Sequence, residues 1–162
     1  MTRESTYNFQ RATSDDLALL ATWQSASHVR EWWDSDEPYD SSDLTDPKVA
    51  RWIVSFANQP FAFMQDYAVH GWGDHHFAYL PEGSRGIDQF IGEPDMVGCG
   101  HGSVFIKQRM DDIFDGGAPV IATDPHPDNK RAIAVYGKVG FKPLGPTQET
   151  KWGLILPMAA MR

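Results

Sequence analysis

With 162 residues, 41% of them hydrophobic, the chain can enclose one ordinary core and is short for two, so a single domain over 1–162 is expected. Subtracting 22 acidic from 14 basic side chains leaves a net charge of −8, which argues against nucleic acid as a partner and admits a cationic small molecule. A lone cysteine, Cys99, excludes an intrachain disulfide and a cysteine-rich zinc site, and no stretch is apolar for long enough to span a bilayer or to head an export signal; a reducing cytoplasm with no membrane partner is expected.

In chain order, 7–12 reads as a first strand, and a helix is expected from about Ser14, where Asp15 and Asp16 suit the positive end of its dipole. Leu17, Leu20 and Trp23 or Gln24 mark its buried side. A second helical stretch ends in Glu31-Trp32-Trp33, before a polar loop over 34–47. Trp52, Val54 and Phe56 alternate, Asn58-Gln59-Pro60 interrupts, and Phe61, Phe63 and the run to Val69 resume, which predicts an antiparallel hairpin. Residues 71–86, rich in Gly, His, Asp and aromatics, predict a loop that can meet substrate. A strand is expected over 86–91.

The cluster Gly98-Cys99-Gly100-His101-Gly102 opens a helix whose apolar residues Ile106, Met110, Ile113 and Phe114 fall at offsets of zero, four, seven and eight. Val120-Ile121-Ala122-Thr123 fits a short buried strand. Pro127-Asp128 begins another helix, closed by Gly140. Phe141 onward supplies one or two last strands, the clearest over 152–156.

Glycines at 98, 100 and 102 before a helix let the backbone approach a ligand and aim unpaired N–H groups at a phosphate. An ordinary tight turn uses the same residues. A dinucleotide fold also places an acid about 20 residues on, near Asp124, but the third glycine comes one residue too early for G-x-G-x-x-G and the chain ends too soon for the usual parallel strands.

Arg85-Gly86-Ile87-Asp88-Gln89, the glycine loop, Thr123-Asp124-Pro125-His126-Pro127-Asp128-Asn129 and the run from Arg131 to Phe141 together resemble the GNAT acetyltransferases, most closely the aminoglycoside 6′-N-acetyltransferases. His28-Val29-Arg30-Glu31-Trp32-Trp33 and the segment 65–74 extend the resemblance. It implies an α/β (α+β) fold with a mixed, mostly antiparallel central sheet splayed at its middle and flanked by helices. Acetyl-CoA is the implied co-substrate, with a primary amine of an aminoglycoside-like polycation as acceptor and no metal. Gln89, Phe90 and Ile91 would line the pantetheine arm. Val97, Gly98, Cys99, Gly100, His101, Gly102 and Ser103 would hold the pyrophosphate, and Asn129, Ala132 and Lys138 would also face CoA. Val97 stands where the family's loop usually has Gln or Arg, and Cys99 where a base is common, so phosphate binding leans on backbone N–H groups.

Chemistry assigns the remaining roles. A protonated amine has no lone pair, so a nearby carboxylate must attract the cation and receive its proton directly or through water; Asp88 is the candidate. A free carboxyl with a pKa of about 3.9 is a poor base for an amine, so the site must desolvate it or relay the proton outward. The plain alternative is an ion pair with Arg85. A CoA thiolate leaves more readily when a phenol donates to sulfur, a task that fits Tyr136, which at its spacing after Ile133 could equally be a core aromatic. Backbone N–H groups of 88–90 would polarise the thioester carbonyl. Glu31, Trp32, Asp74 and Asp88 are the candidates for acceptor binding, with helix-end packing as the alternative for one tryptophan and a turn for Asp74.

His75 and His76 are expected on opposite sides of an extended strand with no partner ligands, hence no zinc. Cys99 lacks a matched histidine and reads as an incidental small residue rather than a nucleophile. Two rival functions stay open: a GNAT enzyme acting on a polyamine or a siderophore hydroxylamine, and a non-catalytic acyl-CoA-binding module. Oligomeric state is not encoded in any of these features.

Overall fold

The computed structural model describes residues 7–33 and 37–162. The first three residues of the loop expected over 34–47 lie outside the described residues. The chain opens with β1 (Tyr7–Arg11), a 3-10 turn (Ser14–Asp16), α1 (Leu17–Ser25) and α2 (Ser27–Arg30). The helix expected from Ser14 therefore begins as a 3-10 turn. Asp16 Oδ2 accepts from the Thr13 N–H at 2.8 Å, which closes a capping box over that turn.

Within the expected polar loop lies a further short helix, α3 (Ser41–Thr45). Its signal is local and polar: Asp43 N–H donates to the Asp40 carboxylate at 3.0 Å, and Asp40 N–H to Asp43 at 2.9 Å. This reciprocal cap needs no apolar periodicity.

Strands β2 (Val49–Phe56) and β3 (Gln59–Ala68) follow, joined by Ala57 and Asn58, both with positive φ (49° and 64°). Two successive positive-φ residues match the two-residue turn that a right-handed twisted hairpin prefers. The reversal therefore sits one residue earlier than the Asn58-Gln59-Pro60 interruption. The alternation along β2 is also broken, because Ile53 and Val54 are both buried.

The rest runs β4 (Arg85–Ile91), α4 (His101–Asp115), β5 (Val120–Thr123), α5 (Lys130–Lys138), β6 (Lys142–Pro143), β7 (Gln148–Thr150), β8 (Gly153–Ile155) and β9 (Met158–Met161). Seven strands form a mixed sheet in the order β1-β2-β3-β4-β5-β9-β6, while β7 and β8 make a separate hairpin. The clearest expected last strand, 152–156, is thus the second arm of that hairpin. The strand that joins the sheet is β9, whose Met-Ala-Ala-Met carries little β signal; it is recruited by its antiparallel ladder to β5, from Val120↔Met161 to Thr123↔Met158.

Two compact units emerge, one from the chain up to Gln65 with Gln89–His101, the other from Asp66–Asp88 with Gly102–Arg162. Both β3 and β4 have residues in each. In the first unit Ala12, Leu20, Trp23, Leu44, Ile53 and Phe63 form a buried cluster, with Trp33, Tyr39 and Phe90 packed against it. Gly92 is sterically required there, since a Cβ would fall 2.1 Å from the Trp23 indole. Trp23 Nε1 in turn donates to Glu93 at 3.0 Å.

In the second unit α4 buries Phe105, Ile106, Met110, Ile113 and Phe114, the face predicted from spacing with one residue added. Strands β4 and β5 are parallel and pair only through Arg85↔Ile121 and Gly86↔Ala122. Beyond that ladder Thr123 Oγ1 donates to the Ile87 carbonyl at 3.1 Å.

Candidate active site

Four ionisable side chains of the second unit share one electrostatic environment. Tyr67, at the end of β3, is 6% exposed, and burial raises its phenol well above the usual tyrosine range, with Asp88, Asp124 and Tyr136 adding to the rise in that order. A phenol held this way stays protonated and can only donate from its O–H. Its ring is seated by Gly86, where a Cβ would fall 2.3 Å from the phenol carbon. Glycine at 86 is therefore what lets β4 carry Asp88 past Tyr67.

Tyr136 lies on α5, 5% exposed, with its ring edge-on to Phe141 at 5.3 Å. Core packing and an electrostatic influence on Tyr67 thus hold together for this residue. Asp88 is half-buried on β4. Its expected alternative partner, Arg85, is engaged elsewhere: Arg85 Nη2 donates to Asp66 Oδ1 at 2.6 Å, and Arg109 on α4 donates to the other oxygen through Nε and Nη2, both at 3.0 Å. Asp66 is 1% exposed between these two guanidinium groups.

The loop after β3 holds His75, His76 and Phe77. Instead of pointing to opposite sides, the two imidazoles stack at 4.2 Å with 23° between their planes, because this segment is a turn and not an extended strand. His76 Nε2 lies 2.8 Å from Asp124 Oδ2, and Trp152 of the β7–β8 turn covers both rings at 5.3 and 5.6 Å. Phe77 N–H donates to His75 Nδ1 at 3.1 Å, so that nitrogen carries a lone pair.

Burial, then His76 and Lys151, lower His75 to about 4. Its folded-state pKa thus lies below the unfolded value of about 6.5, so the neutral form's contribution is complete above 6.5 and lost as pH falls toward 4. Thermal melts are expected to show Tm declining over that interval, and His75→Gln is expected to flatten the decline. A Tm profile identical in both proteins would show that His75 titrates without consequence.

Asp74 is exposed in the same loop and makes no side-chain hydrogen bond or ion pair with the described residues. Asn129 caps α5, its Oδ1 accepting from Ala132 N–H at 3.2 Å, which commits one oxygen of a residue expected to face CoA. Ala132 is half-buried and Lys138 exposed in the last turn of α5. Gly102 and Ser103 lie in the first turn of α4, both half-buried.

The other expected ligand contacts belong to the first unit. Gly98 and Gly100 have φ of +74° and +89°, and a Cβ on either would meet nothing within 4 Å. The loop is thus an exposed backbone surface leading into a 15-residue helix, the form expected of an anion cradle. Val97 is half-buried; Cys99 is exposed, its thiol 3.5 Å from the Asp95 carbonyl. The His101 side chain does not extend outward: Nδ1 is 2.8 Å from the Tyr7 hydroxyl, and its ring sits 4.9 Å from Phe56 and 5.3 Å from Phe61.

On β4, the Phe90 ring packs against Trp33 at 4.8 Å and Phe63 at 5.1 Å, and the Ile91 carbonyl bonds His28 Nε2 at 2.8 Å; Gln89 is half-buried. Of the tryptophan pair, Trp33 is the packing residue, while Trp32 is 41% exposed and Glu31 beside it is exposed. Sequence reasoning assigned no role to Tyr67 or His76, and met Asp124 only as a spacing coincidence and a motif letter. Nothing local marks Tyr67 or His76; only the fold brings Tyr67 under the influence of Asp88 and Tyr136 and sets His76 against Asp124.

The GNAT acetyltransferase domain model matches residues 12–148. Aminoglycoside N(6′)-acetyltransferase type 1 of Klebsiella pneumoniae is 34% identical over 145 residues, covering 82% of this chain and 72% of its own. The solved structure of AAC(6′)-Ib with paromomycin and acetyl-CoA superposes with a TM-score of 0.85 at 30% identity, covering 97% of this chain and 94% of that one. A spermidine N-acetyltransferase of Vibrio cholerae, solved with CoA and spermine, reaches a TM-score of 0.75 at 17% identity over 98% and 96% of the two chains, a likeness of fold alone.

Proposed function

The chain belongs to the GNAT acetyltransferase family, and from that premise we propose that it moves an acetyl group from acetyl-CoA directly to a primary amine of an aminoglycoside. The observation that carries this reading is the shared field of Asp88, Asp124 and Tyr136 on Tyr67, which gathers carboxylates and phenols where a cation can lose a proton and a thiolate can gain one. Relatives solved with paromomycin and acetyl-CoA, and with kanamycin and coenzyme A, support both substrates. The similar protein of Klebsiella pneumoniae supports the 6′ position.

Acetyl-CoA supplies the activated thioester. The open glycine loop, Val97 to Ser103, takes its pyrophosphate on backbone N–H groups, and Gln89, Phe90 and Ile91 with Asn129, Ala132 and Lys138 take the rest. Asp88 attracts the ammonium and accepts its proton directly or through water. Backbone N–H groups of 88–90 polarise the carbonyl, and Tyr136 protonates the departing sulfur. Glu31, Trp32 and Asp74 contact the amino sugar. The reading treats residues 1–162 as one working domain in a reducing cytoplasm; among the described residues no helix is long and apolar enough to cross a membrane.

Acetylation removes a positive charge from a drug that grips RNA phosphates, so resistance is the expected cellular effect. The test is thiol release from acetyl-CoA with kanamycin, spermidine and a hydroxylamine as acceptors. Kanamycin is expected to give the highest kcat/KM. Turnover of spermidine or hydroxylamine with none of kanamycin would move the acceptor, and CoA binding with no turnover at all would leave an acyl-CoA-binding module.

A further inference from the structure

The His76 imidazole has no part in the reaction as described, yet paired with Asp124 it is built like a base. Nε2 and Oδ2 are 2.8 Å apart, with the two side chains 6% and 18% exposed. An imidazole that gives its Nε2–H to a carboxylate keeps its lone pair on Nδ1, and the carboxylate then stabilises the imidazolium that forms. His76 Nδ1 has no hydrogen-bond partner among the described residues. The ring is held by His75 and Trp152, so its orientation is set on two sides.

The charged and titratable groups that act on His76 are few. Asp124 follows β5, Asp88 lies on β4, Lys151 in the β7–β8 turn and His75 in the same loop. Burial lowers the imidazole's affinity for a proton, as Lys151 also does, while Asp88 raises it. His76 is therefore neutral at pH 7 and able to accept.

We propose that His76, oriented by Asp124, is the proton-relay residue of the acetyl transfer, receiving at Nδ1 the proton that the acceptor ammonium gives up beside Asp88. The inference rests on the transferase reading above. The ammonium N–H bond breaks with its electron pair left on nitrogen, and the proton passes by way of Asp88 or water to Nδ1. The neutral amine attacks the thioester carbon. The C–S bond then breaks with its pair on sulfur, Tyr136 protonates that sulfur, and the nitrogen's second proton restores the phenol. His76 releases its proton to solvent, so one proton leaves per turnover.

His76→Gln keeps a donor for Asp124 but cannot take a proton. It is expected to lower kcat/KM for kanamycin at pH 7 about 100-fold with CoA affinity unchanged. Wild-type kcat/KM is expected to fall on the acid side at a pH below the ordinary imidazole value, because burial lowers His76, and that limb is expected to vanish in the variant. His76→Ala is expected to regain part of its rate with free imidazole, which a merely structural role would not allow. A His76→Gln enzyme with the wild-type rate and pH profile overturns the proposal. Independently of any variant, nitrogen NMR of the wild-type protein is expected to show the Nε2–H tautomer, and an Nδ1–H tautomer overturns it. If the wild type turns over no amine, the transferase reading itself falls; that result is distinct from an active wild type matched by His76→Gln.

Discussion

Tyr136→Phe is expected to lower kcat for acetyl transfer by about 10²- to 10⁴-fold, the range for loss of a positioned general acid. That corresponds to about 3–5 kcal/mol of transition-state stabilisation at roughly 1.4 kcal/mol per tenfold. Phenylalanine keeps the ring that packs edge-on against Phe141. Tm and CoA affinity are therefore expected to change little. Asp88→Asn is expected to fall in the same range through loss of the proton acceptor and of attraction for the ammonium. Steady-state thiol release and titration calorimetry with CoA check both. Tyr67→Phe is the informative companion, since its phenol is protonated in the same field. If Tyr67→Phe carries the loss and Tyr136→Phe does not, the sulfur is protonated from β3 rather than from α5.

The second large effect concerns stability. Asp66→Ala is expected to destabilise the fold by about 3–5 kcal/mol, as when one partner of a buried ion pair is removed. Two guanidinium groups, from β4 and α4, converge on a carboxylate that is 1% exposed. Without it, Arg85 and Arg109 both lose the carboxylate they share, and Asp112 lies 4.0 Å from Arg109. At about 2–4 °C per kcal/mol for a chain of this size, Tm is expected to fall by roughly 6–20 °C, measurable by calorimetry. Activity is expected to fall as well, because Asp66 precedes Tyr67 and Arg85 precedes Gly86, the two residues whose close packing carries Asp88 past the phenol. A Tm within 2 °C of wild type would mean that water replaces the carboxylate.

Asp66 and His76 show why parts of the site could not be read ahead of the structure. Spacing alone makes Arg85 a partner for Asp88, three residues away, whereas the carboxylate that Arg85 binds comes from a neighbouring strand. His75 and His76 behave as strand neighbours only if the backbone is extended; in a turn their rings stack, and the carboxylate that meets them is 48 residues later. His101 has the same lesson from the other side. Its place in a glycine-rich loop suggests a ligand contact, but aromatic packing around Tyr7, Phe56 and Phe61 takes the imidazole inward.

What the amino-acid order determined by itself is local and periodic. The apolar offsets of Ile106, Met110, Ile113 and Phe114 set the buried face of α4, the glycines at 98 and 100 answer to positive φ, and the motif around Asp88, Asp124 and Tyr136 carries the family. Each depends on neighbours within a turn or two of backbone, or on a motif that reads the same in any context. Tertiary structure alone decided that Met-Ala-Ala-Met becomes a sheet strand, that Asp66 binds two arginines, and that Tyr67, His76, Asp88, Asp124 and Tyr136 share one field. Strand recruitment and charge pairing depend on groups brought close through space, and no periodicity along the chain encodes which distant residue will stand opposite.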